Sequence, residues 1–279
     1  MYNIDDLKNL MARLRHPEHG CPWDVKQDYA SIVPYTLEEA YEVADAIEQG
    51  DFAQLEGELG DLLFQVIYYC QLASEEQRFA WEQVVDGITR KLIRRHPHVF
   101  PDGDLYGPLD APKLSEAAIK SRWEAIKAEE RAEKAQQPEQ LSLLDDVPQA
   151  LPALKRAAKL QKRAAQVGFD WPAALPVVDK LREELDEVLE AMADGDAEGI
   201  FEEVGDLLFV VVNLARHLKV DAESALRAGN QKFERRFRYI EAVLRSEQRA
   251  IADCSLEQLE ALWVLAKKEE KQAAAHCGA

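Results

Sequence analysis

The 279-residue chain is poor in the residues that several fold and function classes need. Its four cysteines, Cys21, Cys70, Cys254 and Cys277, are scattered and form no Cys-x-x-Cys pair. That argues against a disulfide framework or a zinc site and for a reducing compartment. Glycine and proline number only 13 and 12, too few for a sheet protein with many tight turns. No apolar run approaches the roughly 20 residues of a membrane span. The start, Met1-Tyr2-Asn3-Ile4-Asp5-Asp6, lacks a signal-peptide core, so a soluble, cytoplasmic protein is expected. No Gly-Lys pair occurs, which removes a P-loop. Basic charge is short too: the net charge is −18, a poor match for nucleic acid and a good one for divalent cations.

What the chain has is helical sequence. Apolar residues make up 47%, enough for two cores at this length, and charged residues 31%. Periodicity predicts helices over about 4–15, 36–49, 52–74, 80–95 and 115–137, then 149–166, 173–193, 197–218, 222–247 and 255–272. Thr36 is the expected N-cap of the second, and Gly50, Gly168, Gly195 and Ser255 mark breaks. The loop at 16–24 carries Gly20-Cys21-Pro22-Trp23-Asp24, in which Trp23 is expected to anchor the loop on the core. His96-Pro97-His98 reads as a helix-ending loop rather than a metal pair. The polar stretch Gln136-Gln137-Pro138-Glu139-Gln140 marks the boundary between a module at 1–135, a linker at 136–148 and a module at 149–279.

Two acidic clusters carry the chemistry. Glu183-Glu184-x-x-Glu187 is followed by a turn at Asp194-Gly195-Asp196 and then by Glu203-x-x-Asp206. Glu184 and Glu187 share one helix face, as do Glu203 and Asp206 on the next helix. Two antiparallel helices then aim four carboxylates at one spot, which asks for a cation. The same pattern stands 145 residues earlier: Glu38-Glu39-x-x-Glu42, Gly50-Asp51, Glu58-x-x-Asp61. A constant offset of 145 aligns 37–69 with 182–214 without a gap, and Asp61-Leu62-Leu63-Phe64 equals Asp206-Leu207-Leu208-Phe209. The chain is therefore read as all-α, two tandem copies of one helical-bundle module.

A single Glu-Glu-x-x-Glu is ordinarily a solvated face. Here its spacing and its partner cluster recur in both copies, which favours a metal site. All-oxygen donors favour Mg²⁺ or Mn²⁺ over zinc. A di-iron bundle wants Glu-x-x-His, and none of the six histidines has an acidic residue three positions before it. Lys232 and Arg236, four apart on a helix, can meet phosphate oxygens, although an exposed or ion-paired basic pair is the ordinary reading. Lys91 and Arg95 match them at an offset of 141. Trp263 could offer a stacking face for a base, although core packing is the ordinary reading of a lone tryptophan there.

These features in combination resemble the MazG family: the paired acidic modules, the Gly20–Asp24 loop, Arg95-His96-Pro97-His98-Val99-Phe100 and the tandem layout. The resemblance covers nearly the whole chain. It implies an all-α nucleoside triphosphate pyrophosphohydrolase that cuts between the α and β phosphates with Mg²⁺. It also implies a homodimer whose second module is the main catalytic one. Carried over by position, Glu184, Glu187, Glu203 and Asp206 are metal ligands and Lys232 and Arg236 contact phosphates. Trp263 meets the nucleotide, and Lys180 and Glu183 line the site. Glu39, Glu42, Glu58 and Asp61 match the ligand set in the first module, where no tryptophan stands at an obvious counterpart of Trp263 apart from Trp123. The rivals are hydrolysis of phosphoribosyl-ATP and a non-catalytic acidic platform that binds a GTPase or other regulatory protein.

Overall fold

In a computed structural model of the chain, which describes residues 1–108, 114–134, 142–145 and 147–277, the described residues form α-helices, 3-10 turns and loops with no strand. The chain divides into two compact units, Met1–Ala135 and Gln136–Ala279. Most of the expected linker at 136–148, namely 136–141 and 146, lies outside the described residues, as do 135–137 at the end of the fifth expected helix.

The first unit holds helices α1 (Ile4–Leu14), α2 (Tyr29–Gln49), α3 (Phe52–Glu75), α4 (Trp81–Arg95) and α5 (Glu116–Lys134). Asn3 caps α1 in a reciprocal box: its side chain accepts from the backbone of Asp5 and Asp6 at 2.8 and 3.3 Å, and the Asp6 carboxylate accepts from Asn3 N at 2.9 Å. α2 and α3 form a hairpin. Gly50 ends α2 in the left-handed region, φ 71°, and the Asp51 carboxylate accepts from Ala53 N and Gln54 N to start α3. Helical spacing on α3 sends Ile67, Tyr68 and Leu72 inward against Met11 of α1 and Ile32 of α2. Arg15 locks the far end of α1 to Glu75 at 2.8 Å.

Two expectations change here. α2 begins at Tyr29, seven residues before the expected start, with Asp28 as its N-cap and Ser31 completing the box. Pro34 falls within the second turn, where its missing N–H removes one hydrogen bond without ending the helix. Thr36 is consequently interior, its hydroxyl 3.2 Å from the Ile32 carbonyl and 2.7 Å from Tyr69 Oη. Nor is Trp23 the loop anchor. It is 49% exposed, edge-on to Tyr35 at 5.9 Å, whereas Asp24 is buried. The Tyr68 hydroxyl donates to the Asp24 carbonyl at 2.8 Å and reaches its carboxylate at 3.3 Å.

The second unit holds α6 (Ala153–Ala165), α7 (Ala174–Asp194), α8 (Ala197–His217), α9 (Ala222–Ser246) and α10 (Leu256–Cys277). α6 starts at 153 rather than 149 because Pro152 sits at its N-cap. α7 and α8 repeat the hairpin, with Gly195 at φ 68° and Asp196 accepting from Glu198 N. α6 packs on α8 and α9, and α10 lies along α9. Val177, Val188, Val210, Val212, Ile240 and Leu244 are buried within this unit's helices. Among the described residues no helix is long and apolar enough to cross a membrane.

Candidate functional site

Each hairpin converts its sequence spacing into a carboxylate cluster. On α7, Glu184 and Glu187 sit one turn apart, and the tight Gly195 turn brings α8 back alongside with Glu203 facing them. Carboxylate oxygens of Glu184, Glu187 and Glu203 all lie within 4.8 Å of one another. Glu184 is buried, and the other two are half-buried. Asp206, one turn further along α8, stands outside that group of three, but its charge acts on Glu203. The crowding bears on protonation. Burial first, then the Glu184 and Glu203 charges, push the Glu187 carboxyl above the usual carboxylate range, against a lowering by Lys180. Burial and the neighbouring Asp206 and Glu184 do the same for Glu203.

Lys180 supplies the resident counter-charge. It lies three and four residues before Glu183 and Glu184, so its Nζ reaches both, at 2.7 and 2.8 Å. The two glutamates, Glu183 foremost, hold its proton more tightly than usual. Glu183 itself is exposed.

In the first unit the group within 4.8 Å comprises Glu39, Glu58 and Asp61. Burial, Asp61 and Glu58 raise the Glu39 carboxyl, and burial together with a hydrogen bond to Glu58 raises Glu42. Tyr35 occupies the position that Lys180 holds in the second unit, at the same offset of 145. The buried Gln65 amide reaches Glu39 at 3.5 Å, where the second unit has Val210.

A facing set of three carboxylates, with no nitrogen or sulfur donor among them, is the donor chemistry of a hard divalent cation. Such an ion would also relieve the repulsion that raises Glu187 and Glu203. The residues present thus fit Mg²⁺ or Mn²⁺ in both units.

The basic and aromatic residues form a second grouping, between α9 and α10. Arg236 Cζ lies 5.4 Å from the Trp263 ring centroid, and the Phe233 ring is 5.3 Å from the same ring. Lys232 is exposed one turn before Arg236. Arg236 Nε donates to Glu270 at 2.8 Å, and Arg235 approaches the other oxygen of Glu270 at 3.6 Å. The first unit repeats this grouping. Glu130, 7% exposed, pairs with Arg94 and Arg95, and these arginines pull its carboxyl down to about 2. Trp123 lies against His96 at 5.2 Å and under Lys127 at 5.7 Å. Lys91 is exposed on α4.

Trp123 is therefore the counterpart of Trp263. Both open a Trp-x-x-x-Lys-x-x-Glu stretch whose glutamate meets the arginine pair of the preceding helix. Sequence reasoning missed Glu130 and Glu270. The signal was present at an offset of 140, Trp123-Lys127-Glu130 against Trp263-Lys267-Glu270, rather than the 145 of the hairpins.

A family model described as the MazG nucleotide pyrophosphohydrolase domain matches residues 27–100 and 175–240, the acidic hairpin of each unit with its flanks. A nucleoside triphosphate pyrophosphohydrolase of Escherichia coli strain K12 is 53% identical over 272 residues, 97% of this chain and 99% of that protein. The Thermotoga maritima nucleoside triphosphate pyrophosphohydrolase/pyrophosphatase MazG is 40% identical over 264 residues, 95% of each chain. With both acidic hairpins inside the matched segments and relatives aligned over nearly their whole length, the chain belongs to the MazG nucleotide pyrophosphohydrolase family.

Proposed function

We propose that this protein hydrolyses nucleoside triphosphates to nucleoside monophosphate and pyrophosphate in the cytosol, with Mg²⁺ (or Mn²⁺) as its cofactor and the second module, 149–279, as the main catalytic one. The observation that carries the reading is the meeting of Glu184, Glu187 and Glu203 within 4.8 Å across the α7–α8 hairpin. Its relatives' names supply the reaction class.

In this reading Glu184, Glu187, Glu203 and Asp206 hold the cation. When bound, the ion would supply neutralisation of the polyphosphate charge and a lowered pKa for water. The chain's own groups do the rest. Lys232 and Arg236 bind phosphate oxygens as charge builds on the leaving pyrophosphate. Trp263 offers its face to the base, and Lys180 lines the site beside Glu183. Glu183, adjacent to the ligand set and exposed, orients the attacking water and takes up its proton. Water oxygen bonds to phosphorus as the bridging P–O bond between α and β phosphates breaks. Glu39, Glu42, Glu58 and Asp61 form a second cation site in the first unit.

We also assign the protein to a homodimer. Leu185, Leu189 and Met192 on α7 and Phe201, Val204, Leu208 and Val211 on α8 are exposed at helical spacing, an apolar face that a second copy would cover. A regulatory protein such as a GTPase is a further partner class.

The test is incubation of each nucleoside triphosphate with the full chain, with and without Mg²⁺, while assaying monophosphate and pyrophosphate. The expected result is both products in equal amounts, only with the metal. Release of orthophosphate, turnover in EDTA, or activity confined to phosphoribosyl-ATP would each overturn the reading.

A further inference from the structure

Both units end on the same device and use it differently. Each has an arginine pair on the basic helix, Arg94-Arg95 at the end of α4 and Arg235-Arg236 inside α9. Each then sends back a helix whose glutamate meets that pair, seven residues after a tryptophan. The connections between are unlike. α4 stops at Arg95 and is followed by loop, whereas α9 runs on to Ser246 and α10 starts only at Leu256. Two different routes restore one carboxylate to one arginine, which singles that contact out from ordinary surface pairing.

How the guanidinium is held differs. In the first unit Glu130 takes Arg95 by its fork: Nε donates to Oε1 at 3.2 Å while a terminal amino group donates to Oε2. In the second unit Glu270 takes only the Nε edge of Arg236, whose Cζ lies over the Trp263 ring. Among the described residues, the terminal amino groups of Arg236 donate no hydrogen bond. One carboxylate against two arginines also leaves net positive charge beside Trp263.

From this geometry we infer that Glu270 is a positioning residue for nucleotide binding: it fixes Arg236 by its Nε edge over the Trp263 ring, so that the two terminal amino groups stay free for polyphosphate oxygens. The inference rests on the reading that Arg236 and Trp263 contact the nucleotide. Arginine is long and loses rotamer freedom on binding. A side chain already held by an edge hydrogen bond and a ring face has lost that freedom before the substrate arrives. The closed fork on Glu130 leaves Arg95 without that readiness, which makes the first unit the weaker polyphosphate binder.

The test is steady-state kinetics on the full chain with ATP and Mg²⁺ for Glu270→Ala, Arg236→Ala, Trp263→Ala and the Glu270→Ala/Arg236→Ala double variant. Loss of one charge-assisted hydrogen bond predicts a KM about tenfold higher for Glu270→Ala. Its kcat should stay within about twofold, and the effect should vanish in the Arg236→Ala background. Glu270→Gln keeps the side-chain volume and carries the same cycle if the alanine variant does not fold. An unchanged KM in Glu270→Ala, or an equal rise in the Arg236→Ala background, overturns the inference while leaving the nucleotide reading intact. If Arg236→Ala and Trp263→Ala themselves leave KM unchanged, that reading falls and takes the inference with it.

Discussion

A carboxylate pushed above its ordinary range favours the folded state most when it is protonated. For Glu187 and Glu203 that contribution is complete below the usual carboxylate pKa and is lost as pH rises through the raised value. At neutral pH without metal, the cluster therefore works against the fold. Glu187→Gln is expected to raise the Tm of metal-free protein at pH 8 and to change it little at pH 4, while turnover falls by at least about 100-fold, since even partners outside the ligand shell are worth 10–100-fold. Paired thermal melts and a pyrophosphate assay check both halves; a variant that keeps its activity at saturating Mg²⁺ removes Glu187 from the ligand set. Glu130 runs the other way. Its carboxyl is held near 2, so its contribution is present above the unfolded value near 4.5 and disappears as pH falls through about 2. Glu130→Gln should flatten the acid-unfolding curve of the first unit across that window, followed by circular dichroism. The acidic residues were legible because helical spacing and the repeat fix their faces independently. Asp24 was not legible as an anchor, because its burial depends on Tyr68 arriving from a helix 44 residues away.

The hairpins depend on how their helices stop. Gly50 and Gly195 both end a helix with positive φ, and a Cβ built at either meets no atom within 4 Å. The cost of a side chain there is backbone strain alone. Gly195→Ala should destabilise the protein by about 1 kcal/mol, read as a shift in the urea midpoint, with Gly50→Ala costing a similar amount. A variant at either position with no loss would mean that the turn relaxes to another conformation. Sequence placed these stops well, since glycine followed by a capping aspartate is a strong local signal at both 50–51 and 195–196. The start of α2 was misplaced because Pro34 reads as a breaker, while the signal that wins, the Asp28–Ser31 box, lies upstream of it. The repeat of α4–α5 in α9–α10 was only half visible for a related reason. The connecting segments differ in kind, which changes the offset and hides a match that the helices retain.

For the whole molecule, duplication was the strongest statement the sequence could make, and the two compact units agree with an all-α pair of modules. Assembly was not readable from residue types alone, because an exposed leucine on a helix looks like a core leucine until the packing is known. The bare faces of α7 and α8, with Phe201 84% exposed, make the proposed dimer testable. Sedimentation equilibrium should give twice the 31.6 kDa chain mass, and Phe201→Glu with Leu189→Glu should shift it to one chain. A wild-type chain that sediments as a monomer at micromolar concentration removes the dimer. The unlike bridges between the last two helices of each unit have a practical consequence. Since the longer helix of one half and the loop of the other deliver the same ending, the exposed stretch at 101–106 is where a foreign peptide or reporter can be spliced in without moving the catalytic parts.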